Sequence, residues 1–511
     1  MQETRGLGLY NVVIIGAGTA GLVTAAGTAG LGGRVALVER HKMGGDCLNY
    51  GCVPSKALIA SARVINSIRH ASKWGLEKQE PRFEFEAVLE SMRSRRAKIA
   101  PHDSAERFQS VGVDVFFGEA SFVSPYEIVV GGQVLRGKNF VIATGSRPGI
   151  PSIDGIHDVP FFTNETIFDQ LRLKPESMIV LGGGPIGCEL GQAMNRLGVK
   201  VTIIQAVDQI LRKEDCDVAD CMEALLEAEG IHVLRSSKTT RVFMRDGKIH
   251  LDLIRTPRGS HDGEQLKAVA DTLLVSAGRS PNVEKLDLGA AGVKFNRRGI
   301  QINAYLQSSQ PHIYAAGDIV GPYQFTHTAD AQARVAVRNI LMPFQFLREK
   351  IDYSVVPWCT YTAPEIARVG LNESEAKQQS ISYDLICVRI NELDRAIVER
   401  EELGFVKVLT PKGTDQILGV TIMAAHAGDL LHEFVLAKKF RIGLSQLAAT
   451  IHAYPTFAEL ARKVGDHYNK KRLTPFVKKI FTLLYERSRA GSVPASSPIQ
   501  NAHNVESGKS K

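Results

Sequence analysis

The sequence lacks an apolar run long enough to cross a membrane. A spanning helix needs about 20 consecutive, mainly apolar residues, whereas the most apolar stretch, residues 12–38, is interrupted by glycines and by Arg34. No basic region precedes this stretch, so it does not match a secretion signal. We therefore expect a cytoplasmic protein.

Cysteine is scarce. The 511 residues contain seven cysteines, an odd number at irregular spacing, which favours a reducing compartment over a framework of structural disulfides. No second pair of Cys or His residues lies near Cys47 and Cys52, so the sequence predicts no metal site. The other five are most simply interpreted as buried or incidental thiols: Cys188, Cys216, Cys221, Cys359 and Cys387.

Net charge is absent from most of the chain. Residues 462–511 carry eleven Lys or Arg and three Asp or Glu, which accounts for the whole formal charge of +8. The remaining residues are neutral as a group, so the pI of about 9.0 does not predict binding to nucleic acid.

The basic segment contains a predicted helix over residues 470–489. Thr474 can cap it, and Pro475 suits its first turn. Its apolar side chains fall on one face: Leu473, Phe476, Val477, Ile480 and Leu484. Such a helix either docks on its own domain or contacts a membrane surface or a partner. The polar residues 490–511 that follow are predicted to be disordered.

Two cysteines stand close together in residues 44–56. Cys47 and Cys52 are five positions apart, and Lys56 follows one helical turn later. Five residues of regular helix rise about 7.5 Å, too far for a disulfide, whose Cα atoms lie about 4.4–6.8 Å apart. A bond between them would need a distorted first turn, which Gly51 permits, and such a strained disulfide would suit redox chemistry. Two inert buried thiols are the alternative.

A glycine-rich turn between two apolar segments precedes these cysteines. Residues 11–15 and 34–38 are predicted as buried parallel strands around an Ala-rich helix, and Glu39 ends the second strand. This is the dinucleotide-binding fingerprint, in which glycines let the backbone approach a pyrophosphate and the acid accepts a ribose hydroxyl. The glycines concerned are Gly16, Gly18 and Gly21.

The same pattern recurs over residues 178–204 and predicts a second dinucleotide site. Its glycines are Gly182, Gly184 and Gly187. An acid at the end of the second strand favours NAD, and basic residues favour NADP, but this chain has Gln205 there. Both NADPH and NADH stay open, with a slight preference for NADPH because no carboxylate repels its 2′-phosphate.

The first fingerprint, Glu39 and the motif Gly-Gly-x-Cys-x4-Cys-Val-Pro-Ser-Lys together resemble the class I pyridine nucleotide–disulfide oxidoreductases, which include glutathione reductase, dihydrolipoyl dehydrogenase and mercuric reductase. The resemblance implies an α/β fold with two Rossmann-like FAD and NAD(P) domains and an α+β C-terminal dimerisation domain. It also implies that Cys52 is the charge-transfer thiol beside the flavin and that Cys47 is the interchange thiol. Lys56, paired with Glu189, would lie near the reactive flavin nitrogen.

The resemblance implies further cofactor contacts and domain boundaries. The additional cofactor-binding residues are Thr144, Gly145, Ser146, Gly278, Asp318 and His327. The predicted domains are an FAD-binding domain in two parts (1–158 and 280–345), an NAD(P)-binding domain (159–279), a dimerisation domain (346–470) and a tail (471–511).

The end of the dimerisation domain departs from the family pattern. Glutathione and dihydrolipoyl enzymes carry His-Pro-Thr-x-x-Glu there, in which the His is the acid–base partner of the interchange thiol in the other subunit and the Glu orients it. Here Tyr454 takes the His position and Glu459 keeps its place, while His452 lies two residues earlier. A tyrosine, with a reference pKa near 10, is a poor thiol base.

Mercuric reductases also have a tyrosine near this position, and the pair Gln324-Phe325 is likewise similar to them. Those enzymes also carry a C-terminal cysteine pair, whereas no cysteine follows Cys387 in this sequence. The sequence therefore predicts a homodimeric, mercuric reductase-like flavoenzyme that passes electrons from NAD(P)H through FAD and a Cys47–Cys52 disulfide to a small-molecule or metal-ion acceptor. Dihydrolipoyl dehydrogenase and a redox sensor without turnover are the alternatives.

Overall fold

Parallel strands and helices alternate at the start of the chain. The computed structural model describes residues 8–257, 259, 262–342 and 344–490, so most of the segment predicted to be disordered lies outside it. The first elements are β1 (Tyr10–Ile15), α1 (Thr19–Gly30), β2 (Val35–Glu39), α2 (Gly45–Asn49), α3 (Cys52–Arg69), α4 (Phe85–Ile99), α5 (Ala105–Ser110), β3 (Val113–Phe117), β4 (Ala120–Ser124), β5 (Glu127–Val130), β6 (Gln133–Ile142) and β7 (Ser146–Pro148).

The first sheet has the strand order β3-β2-β1-β6-β5-β4. Strands β3, β2, β1 and β6 are parallel, and β4 and β5 add an antiparallel extension. In β1 and β2 every residue except Asn11 is buried, because helices cover both faces of a parallel sheet.

A second parallel sheet follows. Its elements are α6 (Asn164–Gln170), β8 (Ser177–Leu181), α7 (Pro185–Arg196), β9 (Lys200–Ile204), α8 (Cys216–Ala228), β10 (His232–Leu234), β11 (Ser237–Arg245), β12 (Lys248–Arg255), β13 (Glu264–Ala270), β14 (Thr272–Val275) and β15 (Arg279–Pro281). Strands β10-β9-β8-β14 form the parallel sheet, and β11-β12-β13 form an antiparallel one. The second fingerprint therefore has the strand, turn and helix that the sequence predicts.

The chain then returns to the first sheet. The returning elements are β16 (Phe295–Asn296), β17 (Gly299–Ile300), β18 (Ile313–Ala315) and α9 (Thr326–Leu341). Strand β18 pairs in parallel with β6, which brings the turn after β18 beside the glycine loop after β1. Helix α9 packs along α1.

The remaining described elements build an antiparallel sheet covered by helices. They are β19 (Pro357–Thr360), β20 (Glu365–Gly370), α10 (Glu373–Gln378), β21 (Tyr383–Arg389), α11 (Asp394–Val398), β22 (Phe405–Pro411), β23 (Gly419–Ala424), α12 (Ala427–Lys439), α13 (Leu444–Ala449), α14 (Glu459–Arg472) and α15 (Pro475–Ala490). The sheet order is β19-β20-β23-β22-β21. The predicted fold class is confirmed.

The helix predicted over residues 470–489 has different bounds. Residues 470–472 belong to α14, and a new helix, α15, begins at Pro475. The break is at Thr474, whose Oγ1 accepts a hydrogen bond from the Val477 N–H at 3.3 Å, while the missing N–H of Pro475 suits a first turn. No residue of α15 is buried, so its apolar side chains are not packed on the dimerisation domain of their own chain.

Candidate active site

A cleft of about 1180 Å³ lies where the two parallel sheets meet the antiparallel sheet. Most of the predicted site residues line it: Gly16, Gly18, Glu39, Cys47, Cys52, Lys56, Thr144, Gly145, Ser146, Gly182, Gly184, Glu189, Gln205, Gly278, Asp318 and His327. The cleft therefore brings together both fingerprints, both cysteines and the turn after β18.

The two glycine loops have nearly the same geometry. Gly16 and Gly182 have φ angles of +105° and +116°, which L side chains rarely adopt. A Cβ on Gly21 would lie 1.8 Å from the Gly16 carbonyl oxygen, and one on Gly187 would lie 1.9 Å from that of Gly182. Gly21 and Gly187 therefore do not line the cleft. Because they have no side chain, each helix can pack closely against its own loop. Two such loops at helix N-termini fit two dinucleotides.

The polar residues at the ends of β2 and β9 brace these loops. Glu39 accepts hydrogen bonds from the Ala17 N–H and the His41 N–H, both at 2.8 Å. Gln205 accepts from the Gly183 N–H at 3.1 Å and donates to the Gln209 carbonyl at 3.0 Å. The loop after β1 is thus braced by an acidic side chain, whereas the loop after β8 is braced by a neutral amide.

The two thiols lie at a break between two helices. Helix α2 ends at Asn49, and α3 begins at Cys52 after Gly51, whose φ and ψ are −125° and −110°. The chain thus has the distortion that a disulfide would require here. Both cysteines are free in this structure, with Cys47 half-buried and Cys52 exposed to the cleft.

The pKa values of the two thiols are shifted in opposite directions. The hydrogen bond from the Cys47 thiol lowers the pKa of Cys52 to about 6, and Thr326 and the charge of Lys56 act in the same direction against the effect of burial. The same hydrogen bond, together with burial, raises the pKa of Cys47 far above its usual range. Near neutral pH, Cys52 is therefore a thiolate and Cys47 is protonated.

Lys56 and Glu189 form an ion pair across the cleft floor. The Lys56 ammonium lies 2.8 Å from Glu189 Oε2, and the carboxylate is nearly buried. Glu189 also accepts from the Tyr361 N–H at 2.9 Å, and the Lys56 Nζ lies 4.4 Å from the centre of the Tyr361 ring. Tyr361 thus holds both members of the pair, a role that the sequence analysis missed.

Asp318 lies in a second polar cluster. It accepts from the Ser146 hydroxyl at 2.7 Å, and Arg279 lies 3.6 Å from its Oδ2 and 3.2 Å from the Asp46 carboxylate. Burial raises the pKa of Asp318, although Ser146 and Arg279 oppose this effect. The sequence analysis missed Arg279 and Asp46, which no motif marks as site residues.

Aromatic rings form one wall of the cleft. The Phe325 ring stacks on His327 at 5.3 Å and on Trp358 at 6.0 Å between ring centres. The Trp358 indole donates to Glu214 at 2.9 Å, and the Arg368 guanidinium lies 4.2 Å from its ring centre. Burial lowers the pKa of His327, so this side chain stays neutral near pH 7.

Tyr454 and Glu459 lie outside the cleft of their own chain. Tyr454 is 68% exposed and donates to Asp394 at 2.8 Å, an interaction that raises its pKa. Glu459 is buried and pairs with Arg462 at 2.6 Å. Both ring nitrogens of His452 form hydrogen bonds at 2.9 Å, Nε2 with the Glu433 carboxylate and Nδ1 with the Thr450 carbonyl. His452 is therefore not available to act as the base that the family's histidine provides.

Thr326 offers a direct test of the thiolate. Its Oγ1 lies 3.4 Å from Cys52 Sγ. Thr326→Val, which keeps the shape but removes the hydroxyl, is expected to raise the pKa of Cys52 by about 1, the value of one hydrogen bond to a charged acceptor. The measurement is a pH titration of the thiolate–flavin charge-transfer absorbance in anaerobically reduced enzyme. Thr326→Ser is the control and should keep the wild-type pKa; an unchanged pKa in Thr326→Val would show that Thr326 does not donate to the thiolate.

Comparison with known families identifies the chain. A model of the family "Pyridine nucleotide-disulphide oxidoreductase" matches residues 10–333. The chain belongs to this family. A second family model, the dimerisation domain of the same oxidoreductases, matches residues 356–464 and supports a homodimer. The protein is thus an oxidoreductase, and its cofactors are those of the family, FAD and NAD(P)H.

Individual relatives differ in activity. The chain is 33% identical over 451 residues to a mercuric reductase of Lysinibacillus sphaericus, covering 88% of this chain and 81% of the relative. It is also 33% identical over 467 residues to a dihydrolipoyl dehydrogenase of Bacillus subtilis, covering 88% and 96%. Among solved structures, the Cu(II) complex of the HOCl-induced flavoprotein disulfide reductase RclA from Escherichia coli matches with a TM-score of 0.78 and 25% identity, covering 90% of this chain and 99% of that one.

Proposed function

We propose that this oxidoreductase passes electrons from NAD(P)H through FAD to a Cys47–Cys52 disulfide. The resulting dithiol then gives its two electrons to soft metal ions, releases two protons and re-forms the disulfide. The observation that carries the proposal is the pair of free thiols, Cys47 and Cys52, in the cleft beside the Lys56–Glu189 ion pair, with the Thr326 hydroxyl 3.4 Å from the Cys52 sulfur. When bound, FAD supplies two-electron exchange between the nicotinamide and the dithiol.

The residues around the cleft fit FAD and the nicotinamide nucleotide. The loop of Gly16 would hold the FAD pyrophosphate, with Glu39 at the ribose, and Asp318 would accept from a ribityl hydroxyl. The loop of Gly182 would hold the second nucleotide. The Lys56 cation, oriented by Glu189 and Tyr361, would stabilise negative charge on the reduced ring system.

The proton chemistry favours a metal ion over a disulfide substrate. Reduction of a disulfide needs an acid that protonates the departing thiolate and a base that activates the interchange thiol. Across the dimer interface, the resemblance assigns this role to position 454, where the tyrosine hydroxyl is already committed to Asp394 and has a raised pKa. A metal ion that binds both sulfurs displaces the Cys47 proton to solvent and leaves no departing thiolate to protonate, and thiolates select soft ions.

The names of relatives point the same way. One relative is a mercuric reductase, and one of the matching solved structures is a Cu(II) complex of a flavoprotein disulfide reductase. Dihydrolipoyl dehydrogenase is the second candidate because such enzymes match with equal identity, but Tyr454 argues against it.

An acceptor panel tests the proposal. Purified holoenzyme, reduced anaerobically with NADPH or NADH, would receive Hg(II), Cu(II), lipoamide or glutathione disulfide separately, and NAD(P)H oxidation would be followed. We expect sustained oxidation with a metal ion and little with either disulfide. Faster turnover with lipoamide would overturn the proposal in favour of dihydrolipoyl dehydrogenase, and flavin reduction without turnover on any acceptor would favour a redox sensor.

The tyrosine itself can be tested by restoring the family residue. Tyr454→His is expected to raise lipoamide turnover about tenfold or more, since a positioned general base contributes at least this much, and to change metal-ion turnover by less than about threefold. Steady-state kinetics with both acceptors would measure the effect. Tyr454→Phe is the control and should leave both rates nearly unchanged; a large loss of metal-ion turnover in Tyr454→Phe would show that the hydroxyl takes part in the reaction.

A further inference from the structure

The exposed apolar side chains of α15 form an unpartnered surface. Six of its large apolar residues are between 42% and 72% exposed: Phe476, Ile480, Phe481, Leu483, Leu484 and Tyr485. No residue of the helix is buried, so the body of its own chain does not cover it. Exposed contiguous apolar surfaces of this kind mark interaction sites.

All of these side chains except Tyr485, together with Val477, lie on one face of the helix. At 100° per residue, an arc of about 160° carries apolar residues almost throughout; they are Leu483, Phe476, Ile480, Leu484, Val477 and Phe481. Arg487 is the one charged residue of α15 on this arc, and its long stem allows its head to reach the polar side. The opposite arc carries Lys478, Lys479 and Arg489 with a single acid, Glu486.

The charge around α15 indicates what it binds. The helix follows Lys470, Lys471 and Arg472 at the end of α14, and residues 462–511 hold the whole net charge of the protein. A second copy of α15 would bring the same positive charge and would be repelled. Nucleic acid would match the charge but offers no apolar layer for the other face. An anionic bilayer surface supplies both negative headgroups and an apolar boundary.

We propose that α15 binds the surface of a bilayer containing anionic lipids and so holds the enzyme at the membrane. The helix lies in the plane of the interface rather than across it. Its 16 residues span about 24 Å, short of the hydrocarbon core of about 30 Å, and no helix in the described part of the chain is long and apolar enough to span. Binding through α15 is independent of the identity of the electron acceptor.

Co-sedimentation of the full-length holoenzyme with vesicles tests this proposal. The vesicles would contain phosphatidylcholine alone or phosphatidylcholine with phosphatidylglycerol at about seven to three. We expect partitioning onto the anionic vesicles to be about tenfold stronger or more, and to weaken as salt rises. Leu484→Asp, which places a charge on the apolar arc, should reduce it about tenfold or more. The double variant Lys478→Glu and Lys479→Glu should do the same.

The matched control is Leu173→Asp. Leu173 is 80% exposed in a loop before β8, so the same substitution there should leave vesicle binding unchanged. All variants should keep wild-type flavin reduction by NAD(P)H, since α15 lies outside the cleft. Three results would overturn the proposal: no binding to anionic vesicles, equal binding of Leu484→Asp, or dissociation of the dimer by Leu484→Asp in light scattering, which would make a second copy the partner.

Discussion

Cys47→Ser is expected to lower acceptor turnover at least about 1000-fold while flavin reduction by NAD(P)H stays within about threefold of wild type. The variant cannot form the disulfide, so the two electrons have no route from the flavin to the acceptor. The serine hydroxyl still donates to Cys52 and keeps it ionised, so the thiolate–flavin charge-transfer absorbance should be present without any reduction. Stopped-flow absorbance and steady-state NAD(P)H oxidation would measure the two effects separately.

Three comparisons define the result for Cys47. Cys52→Ser should lose the charge-transfer absorbance, and Cys387→Ser, which changes an exposed cysteine on β21, should leave activity unchanged. In reduced wild-type enzyme the absorbance should fade as the pH falls through about 6, because Cys52 is protonated below its lowered pKa. Full acceptor turnover by Cys47→Ser would rule out the dithiol as the electron carrier.

Lys407→Met is expected to lower the free energy of unfolding by about 3–5 kcal/mol, the cost of removing one partner from a buried ion cluster. Lys407, on β22, is 3% exposed, and its Nζ lies 3.1 Å from Asp215, 2.9 Å from Asp217 and 2.6 Å from Glu373. Burial alone would lower the pKa of Lys407, but its carboxylate partners raise it strongly. Without the cation, Asp215 and Glu373 would repel each other where α8 joins the antiparallel sheet.

Urea unfolding of the holoenzyme, followed by circular dichroism and flavin fluorescence, would measure this loss. Lys439→Met is the matched control, since the pair of Lys439 with Asp352 is about half exposed and such pairs contribute about 1 kcal/mol or less. Adding Asp215→Asn to Lys407→Met should restore part of the stability by removing one unpaired charge. A loss below about 1 kcal/mol in Lys407→Met would mean that water reaches the cluster.

Local features of the fold were predicted well from the sequence. Strands β1, β2, β8 and β9 and their glycine loops follow from short apolar runs and from turns that only glycine accepts. These signals lie within a few residues of one another, so they can be recognised without knowledge of the tertiary structure. The start of α15 at Pro475 was predicted for the same reason, whereas the assignment of residues 470–472 to that helix was wrong because α14 continues through them.

Contacts between distant segments were decided by the tertiary structure. Thr326 meets Cys52 from 274 positions away, and Tyr361 meets Glu189 from 172 positions away. Nothing in the local sequence distinguishes Thr326, Tyr361 or Arg279 from ordinary helix, loop and strand residues. Their roles arise because parallel strands end at the same edge of a sheet and because the antiparallel sheet closes over that edge.

The sequence by itself determined the family, the two dinucleotide loops and the spacing of the two cysteines, since each depends on residues near in the chain. Only the tertiary structure supplied the physical reason for a lowered pKa of Cys52, because Cys47, Thr326 and Lys56 converge on its sulfur. Likewise, the sequence showed that α15 is amphipathic and basic, but only the structure showed that the described part of its own chain does not cover its apolar face. The pKa and the exposure of a side chain depend on the groups around it, and folding brings those groups together from distant parts of the chain.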